Sequence, residues 1–152
     1  MIKGMNRLWV ISLALILGAA ACGGGFGATC AQNVGSCRIW KAEEAQRIEA
    51  GTLKSLLKSP NLLILDVRAD KDWAASDKKI KNAVHKDPAD AASWITTLPK
   101  DRRIVLYCDS PGEATSAGVG AKLMNEKFPE VLVLKGGFKG WVAAGYPTEP
   151  KW

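Results

Sequence analysis

The sequence predicts an α/β fold, a mostly parallel sheet with helices on both faces. Three continuous apolar runs, "NLLILDVR", "RIVLYC" and "VLVL", lack the polar alternation of half-exposed strands, so each reads as a strand buried on both sides. Helix-like segments separate them, and strands alternating with helices imply parallel neighbours. The 152 residues, 47% hydrophobic and 24% charged, suit one compact domain.

The elements follow in order from Glu43. "QRIEAGTLKSLLKS" gives a short extended piece and then an amphipathic turn or two, with Thr52 as N-cap before Leu53, Leu56 and Leu57. "NLLILDVR" is a strand, "DKDWAAS" a short helix, "NAVH" a short strand, and "PADAASWITTLP" a helix ended by Pro99. "RIVLYC" follows as a strand. "EATSAGVGAKLMNEKF" is a helix weakened by Gly118 and Gly120, with a core face of Val119, Leu123 and Met124. "VLVL" and a glycine-hinged helix over "GGFKGWVAAG" complete the pattern. The expected core includes Leu63, Ile64, Leu65, Ile104, Val105, Leu106, Val131, Leu132 and Val133.

Ahead of this domain, "MIKGMNRLWVISLALILGAAAC" has a basic start, an apolar run and a small-residue end, the layout of a secretory signal. The apolar run is shorter than the ~20 residues a membrane-spanning helix needs. Cys22 after "GAAA" resembles the lipobox of bacterial lipoproteins, although Ala19 stands where that pattern prefers Leu. The expected organisation is a signal peptide over 1–21, a glycine-rich tether over 22–42 and the folded domain over 43–152. Export to the periplasm or cell envelope, with a lipid on Cys22 holding the protein to the membrane, is the matching localisation.

The other cysteines sort by position. Cys30 and Cys37 form a close pair that an oxidising compartment could link by a disulfide, whereas Cys108 stands alone. With a single histidine and no second close cysteine pair, no zinc ligand set and no cofactor are expected. The formal charge of +6 includes Lys3 and Arg7 in the signal, and without them 19 basic residues face 15 acidic ones. A balance that small, spread along the chain, argues against nucleic acid as a partner.

Cys108 ends a buried strand and precedes a helix, so it falls where parallel sheets place their ligand sites. Unpaired N–H groups and the positive end of a helix favour a thiolate there. Gly112 lets the loop curl so that those N–H groups converge on the sulfur, and Thr115 or Ser116 can add hydroxyl bonds. A buried, inert cysteine is the alternative.

The stretches "LLILDVR", "LYCDSPGEATSA" and "LKGGFKGWVAAGYP" resemble those of the rhodanese-like domain, the sulfurtransferase family. The resemblance implies a three-layer fold with a mostly parallel sheet of about five strands. It implies that Cys108 takes a sulfane sulfur from a donor, holds it as a persulfide, and passes it to a thiol or other acceptor; the expected partners are a small-molecule or protein persulfide donor and a thiol acceptor. Asp109, Ser110, Gly112, Glu113, Ala114, Thr115 and Ser116 then form the substrate loop. Asp66 and Arg68 support it, and Gly136 with Gly137 make a turn close to it. On residues alone, Asp66 and Arg68 read as an ordinary surface ion pair and the two glycines as a plain turn.

The loop also departs from the family. The family serine follows the cysteine by six positions, and Ser116 follows by eight, which predicts a longer loop and a wider pocket. No Lys or Arg lies between Asp109 and Ala121, while Asp109 and Glu113 bring negative charge to the rim, which should oppose thiosulfate as donor. The related cysteine phosphatases need an arginine six residues after the cysteine, and position 114 is alanine. That excludes the phosphatase reading. A non-catalytic binding module or a thiol redox relay in the envelope remains as the second class, since fold does not decide function. His85, a lone histidine on a short strand, reads as structural.

Overall fold

The structure is a computed structural model that describes residues 38–152. Cys22, Cys30 and Cys37, and with them the signal, lipid and disulfide expectations, lie outside the described residues.

Five strands form one parallel sheet in the order β1 (Gln46–Ile48), β6 (Val131–Leu134), β5 (Arg103–Tyr107), β2 (Leu62–Asp66) and β4 (Ala83–His85). All four pairings are parallel, with Leu65 opposite Leu106 and Leu106 opposite Val133. The three continuous apolar runs are the three central strands, as a sheet covered on both faces requires.

Side chains alternate across each strand and so divide the core into two layers. Ile104 and Leu106 of β5, with Leu65 and Val67, meet Trp94 of α3 (Ala91–Ile95) and Val119 and Leu123 of α4 (Ala114–Asn125). Val105 and Tyr107 face the other way, onto Leu53 of α1 (Ala50–Leu56) and Phe138 and Trp141 of α5 (Gly137–Ala143). Each fully buried large apolar side chain contributes about 1.5–3 kcal/mol. Leu63 and Leu132 are half-buried rather than fully covered.

Several local expectations are corrected. Glu49, with extended backbone, precedes α1 as its N-cap residue, and Thr52 lies inside the helix. The helix expected to reach Pro99 keeps only one regular turn and a half, and continues as turns in which the N–H of Thr97 and of Leu98 bond back to Trp94 and Ile95. A short helix, α2 (Asp70–Ala74), precedes an antiparallel pair absent from the sequence reading, β3 (Lys78–Ile80) with β7 (Thr148–Pro150). Three-residue strands rich in Lys, Glu and Pro carry no strand signal of their own. Upstream of residue 43, the Trp40 N–H donates to the Asn125 side chain at 2.7 Å and a 3-10 turn begins at Ala42, so packed chain extends into the segment read as tether.

Candidate functional site

Cys108 directly follows β5, the middle strand, at the carboxyl end of the sheet, and is 2% exposed. Strand alternation turns its side chain toward the α4 side, where it joins the cluster of Leu106 and Val119. The first turn of α4 then passes over it.

Two serines hold the sulfur. Sγ lies 3.0 Å from the Ser110 hydroxyl and 3.2 Å from the Ser116 hydroxyl, and the Ser116 N–H donates to it at 3.4 Å. The Ser110 oxygen already accepts the Thr115 N–H at 3.0 Å, so its own proton is available to the sulfur. Ser116 donates its proton to the Glu113 carbonyl at 3.1 Å, which leaves its oxygen to accept from the thiol. When the thiol proton leaves, the Ser110 O–H and the Ser116 N–H remain as donors to negative sulfur. The expected cradle of several backbone N–H groups is therefore corrected: one, that of Ser116, reaches the sulfur, and the Ser110 hydroxyl is the other donor.

The longer loop folds back over Cys108, which is 2% exposed. Pro111–Glu113 form a 3-10 turn in which Gly112 and Glu113 are both left-handed, at φ 61° and 55°, and this takes up the extra length and brings Thr115 back to Ser110 and Ser116 back to the sulfur. A non-glycine residue at Glu113 is strained there by about 1 kcal/mol. Ala114 is the first residue of α4 and is exposed.

The two rim carboxylates are engaged rather than free. Asp109 accepts the Lys139 N–H at 3.1 Å, and burial raises its pKa above the ordinary aspartate value even though that bond and Arg68 favour the charge. Glu113 accepts the Gly136 N–H at 2.9 Å and lies 3.8 Å from the Arg47 guanidinium. Both acids thus bind the turn that carries α5. Gly137, at φ 56°, has no room for a Cβ against the Cys108 carbonyl, and the Phe138 N–H donates to that carbonyl at 3.1 Å.

Asp66 and Arg68 do not touch the sulfur, because alternation sends them to the opposite face of the sheet. They are not a surface pair either: both are 0% exposed. Arg68 grips Asp66 through Nε at 3.0 Å to both carboxylate oxygens and through Nη2 at 2.6 Å. Tyr107 donates its hydroxyl proton to Asp66 at 2.5 Å and accepts the Ile80 N–H at 3.2 Å. Burial, then the Asp66 carboxylate, push the Tyr107 phenol far above its usual range, so it stays neutral. Burial opposes the Arg68 charge, but the bonds and attraction to Asp66 outweigh it and raise its pKa. The guanidinium lies 4.1 Å from the Phe138 ring centroid. The network therefore reaches Cys108 through Phe138 and its backbone bond.

Sequence reasoning missed Tyr107, Phe138 and Lys139 as parts of this arrangement. Tyr107 read as one more apolar strand residue, and only its hydroxyl beside a buried carboxylate reveals the role. His85 stacks on Trp73, centroids 3.9 Å apart, with Nδ1 3.9 Å from Asp66 Oδ1, on the side away from Cys108.

A thiosulfate sulfurtransferase, GlpE, of Coxiella burnetii is 32% identical over 93 residues, covering 61% of this chain and 82% of its own. A sulfurtransferase of Allochromatium vinosum is 29% identical over 92 residues, covering 60% and 82%. The crystal structure of the Alr3790 protein of Anabaena superposes with a TM-score of 0.58 at 32% identity, over 68% of this chain and 82% of that one. The family model "Rhodanese-like domain" matches residues 49–144, which span every residue of the site described above except Arg47. The chain belongs to the rhodanese-like domain family.

Proposed function

We propose that the chain is a sulfurtransferase that carries a sulfane sulfur as a persulfide on Cys108. The observation that carries this reading is the pair of donors, Ser110 O–H and Ser116 N–H, that stay on the sulfur once its proton has left. In the first half-reaction the Cys108 thiolate attacks the outer sulfur of a donor persulfide. A new S–S bond forms, the donor S–S bond breaks, and the donor leaves as a thiolate. An acceptor thiolate then attacks the outer sulfur and releases Cys108, so no oxidant is consumed. The same donors that hold the thiolate serve the outgoing sulfur in the second step.

The Coxiella relative is named for thiosulfate, but this loop offers no Lys or Arg side chain from Asp109 to Ala121. A doubly charged donor finds no countercharge in the loop and two carboxylates beside it. We therefore assign the donor to persulfides, of a small molecule or a protein. One observation favours a second reading: Cys108 is 2% exposed, as suits a core cysteine in a non-catalytic binding module.

The order of basic, apolar and small residues before Cys22 supports export and lipid anchoring in the cell envelope. Membrane partition of the full chain tests that half, since Cys22→Ser should block processing or release it. Transfer from cysteine persulfide to a thiol, followed with the full chain and with Cys108→Ser, tests the chemistry: the variant should transfer nothing.

A further inference from the structure

A cleft of about 960 Å³ opens at the end of the sheet opposite Cys108. Its walls are the outer face of α1, the segment before β2 and the turn between β3 and β4, the last two at the amino ends of parallel strands. Lys54, Lys58 and Lys81 line it, with Ser59 and Asn82 as further donors and Leu57 and Pro147 as apolar wall. No acidic residue lines it. The lysines found in ion pairs among the described residues, Lys79 with Glu149 and Lys135 with Glu49, belong to other surfaces.

The walls are fixed rather than incidental. The Pro147 carbonyl accepts both the Trp141 indole N–H at 2.9 Å and the Lys81 N–H at 3.3 Å, which ties the β3–β4 turn to the chain leading into β7. Lys54 Nζ stands 4.8 Å over the Tyr146 ring, so its ammonium is held by an aromatic face. A Cβ at Gly51, in the first turn of α1, would lie 3.5 Å from the Tyr146 hydroxyl, in ordinary contact.

We propose that this cleft binds an organic phosphate. Three like charges facing one space repel each other until an anion enters, and a phosphate group can neutralise more than one of them where a carboxylate cannot. The volume lies within the range of small-molecule sites and exceeds what a bare ion fills, while Leu57 and Pro147 suit the organic part. The phosphate can come from a soluble phosphoester or from a phospholipid headgroup.

The full chain, titrated with glucose 6-phosphate and with glucose as control, and with phosphatidylglycerol against phosphatidylcholine vesicles, tests the site. The expected result is saturable shifts of the Gly51, Ser59 and Asn82 amides with glucose 6-phosphate and none with glucose, weakening with salt. K54Q/K58Q/K81Q should lower the affinity about tenfold or more at an unchanged unfolding midpoint and with sulfur transfer intact. Tighter uptake of wild type than of the triple variant by phosphatidylglycerol vesicles, without shifts from glucose 6-phosphate, assigns the phosphate to a lipid headgroup. If neither probe distinguishes wild type from the triple variant, the cleft is not a phosphate site.

Discussion

The backbone of Gly137 lies against the carbonyl of Cys108 so closely that a Cβ at position 137 would overlap the oxygen, and the obstacle is backbone rather than a movable side chain. Gly112 shares the left-handed conformation, at φ 61°, but a Cβ there meets nothing within 4 Å. Gly118 is helical and equally open. Gly137→Ala should therefore destabilise by about 2 kcal/mol or more, Gly112→Ala by about 1, and Gly118→Ala should stabilise by up to about 1. Denaturant unfolding of the three variants checks the order, and a Gly137→Ala that unfolds like Gly112→Ala would show that the turn does not press on the Cys108 loop.

Asp66 and Arg68 are both fully buried, so removing one leaves an uncompensated charge. Arg68→Met alone should cost about 3–5 kcal/mol, whereas Asp66→Leu with Arg68→Met should recover much of it. Tyr107→Phe removes a bond to Asp66 and leaves the buried Ile80 N–H unpaired, for about 1–3 kcal/mol. A double-mutant cycle by chemical denaturation measures the coupling.

The pH dependence follows from two raised values. Asp109 holds its proton more tightly folded than unfolded, so its contribution favours the fold at acid pH and is lost as pH rises through the window above its ordinary value. Tyr107 behaves likewise at alkaline pH: once the unfolded phenol ionises, near pH 10, stability should fall as pH rises. Asp109→Asn keeps an acceptor for the Lys139 N–H and should be more stable than wild type at pH 7 but not at pH 3. Asp109→Asn with Glu113→Gln should also raise turnover with thiosulfate more than with a persulfide of lower charge, and equal gains would dismiss rim charge as the selector.

Ser110 does two jobs where Ser116 has a substitute. Ser110→Ala removes a donor from the sulfur and leaves the Thr115 N–H without its acceptor, while Ser116→Ala keeps the backbone donor. Persulfide formation should slow by about tenfold to a hundredfold in Ser110→Ala and by less in Ser116→Ala. Stopped-flow rates with one donor decide the order.

The parallel sheet was legible because the runs 62–65, 104–107 and 131–134 are apolar without interruption, and burial on both faces leaves that pattern. The antiparallel pair of Lys78–Ile80 and Thr148–Pro150 was not, since its pairing is long-range and its residues are mostly polar. Cys108 could be placed from its strand and helix neighbours. Loop length, however, told nothing of loop path: Gly112 and Glu113 turn left-handed and fold the loop back over Cys108, where spacing alone suggested a wider pocket. Likewise, Asp66 and Arg68 have the composition of a surface pair, and only the third dimension buries them under Phe138.

Whether Cys108 bears sulfur is tested most directly by the intact mass of the folded full chain after exposure to cysteine persulfide, with peptide mapping of the adduct. The folded chain should gain one sulfur atom on Cys108, removed by an added thiol and absent from Cys108→Ser. A chain whose Cys108 takes up no sulfur while folded, and does so only after denaturation, would hold a core cysteine and contradict the sulfurtransferase reading.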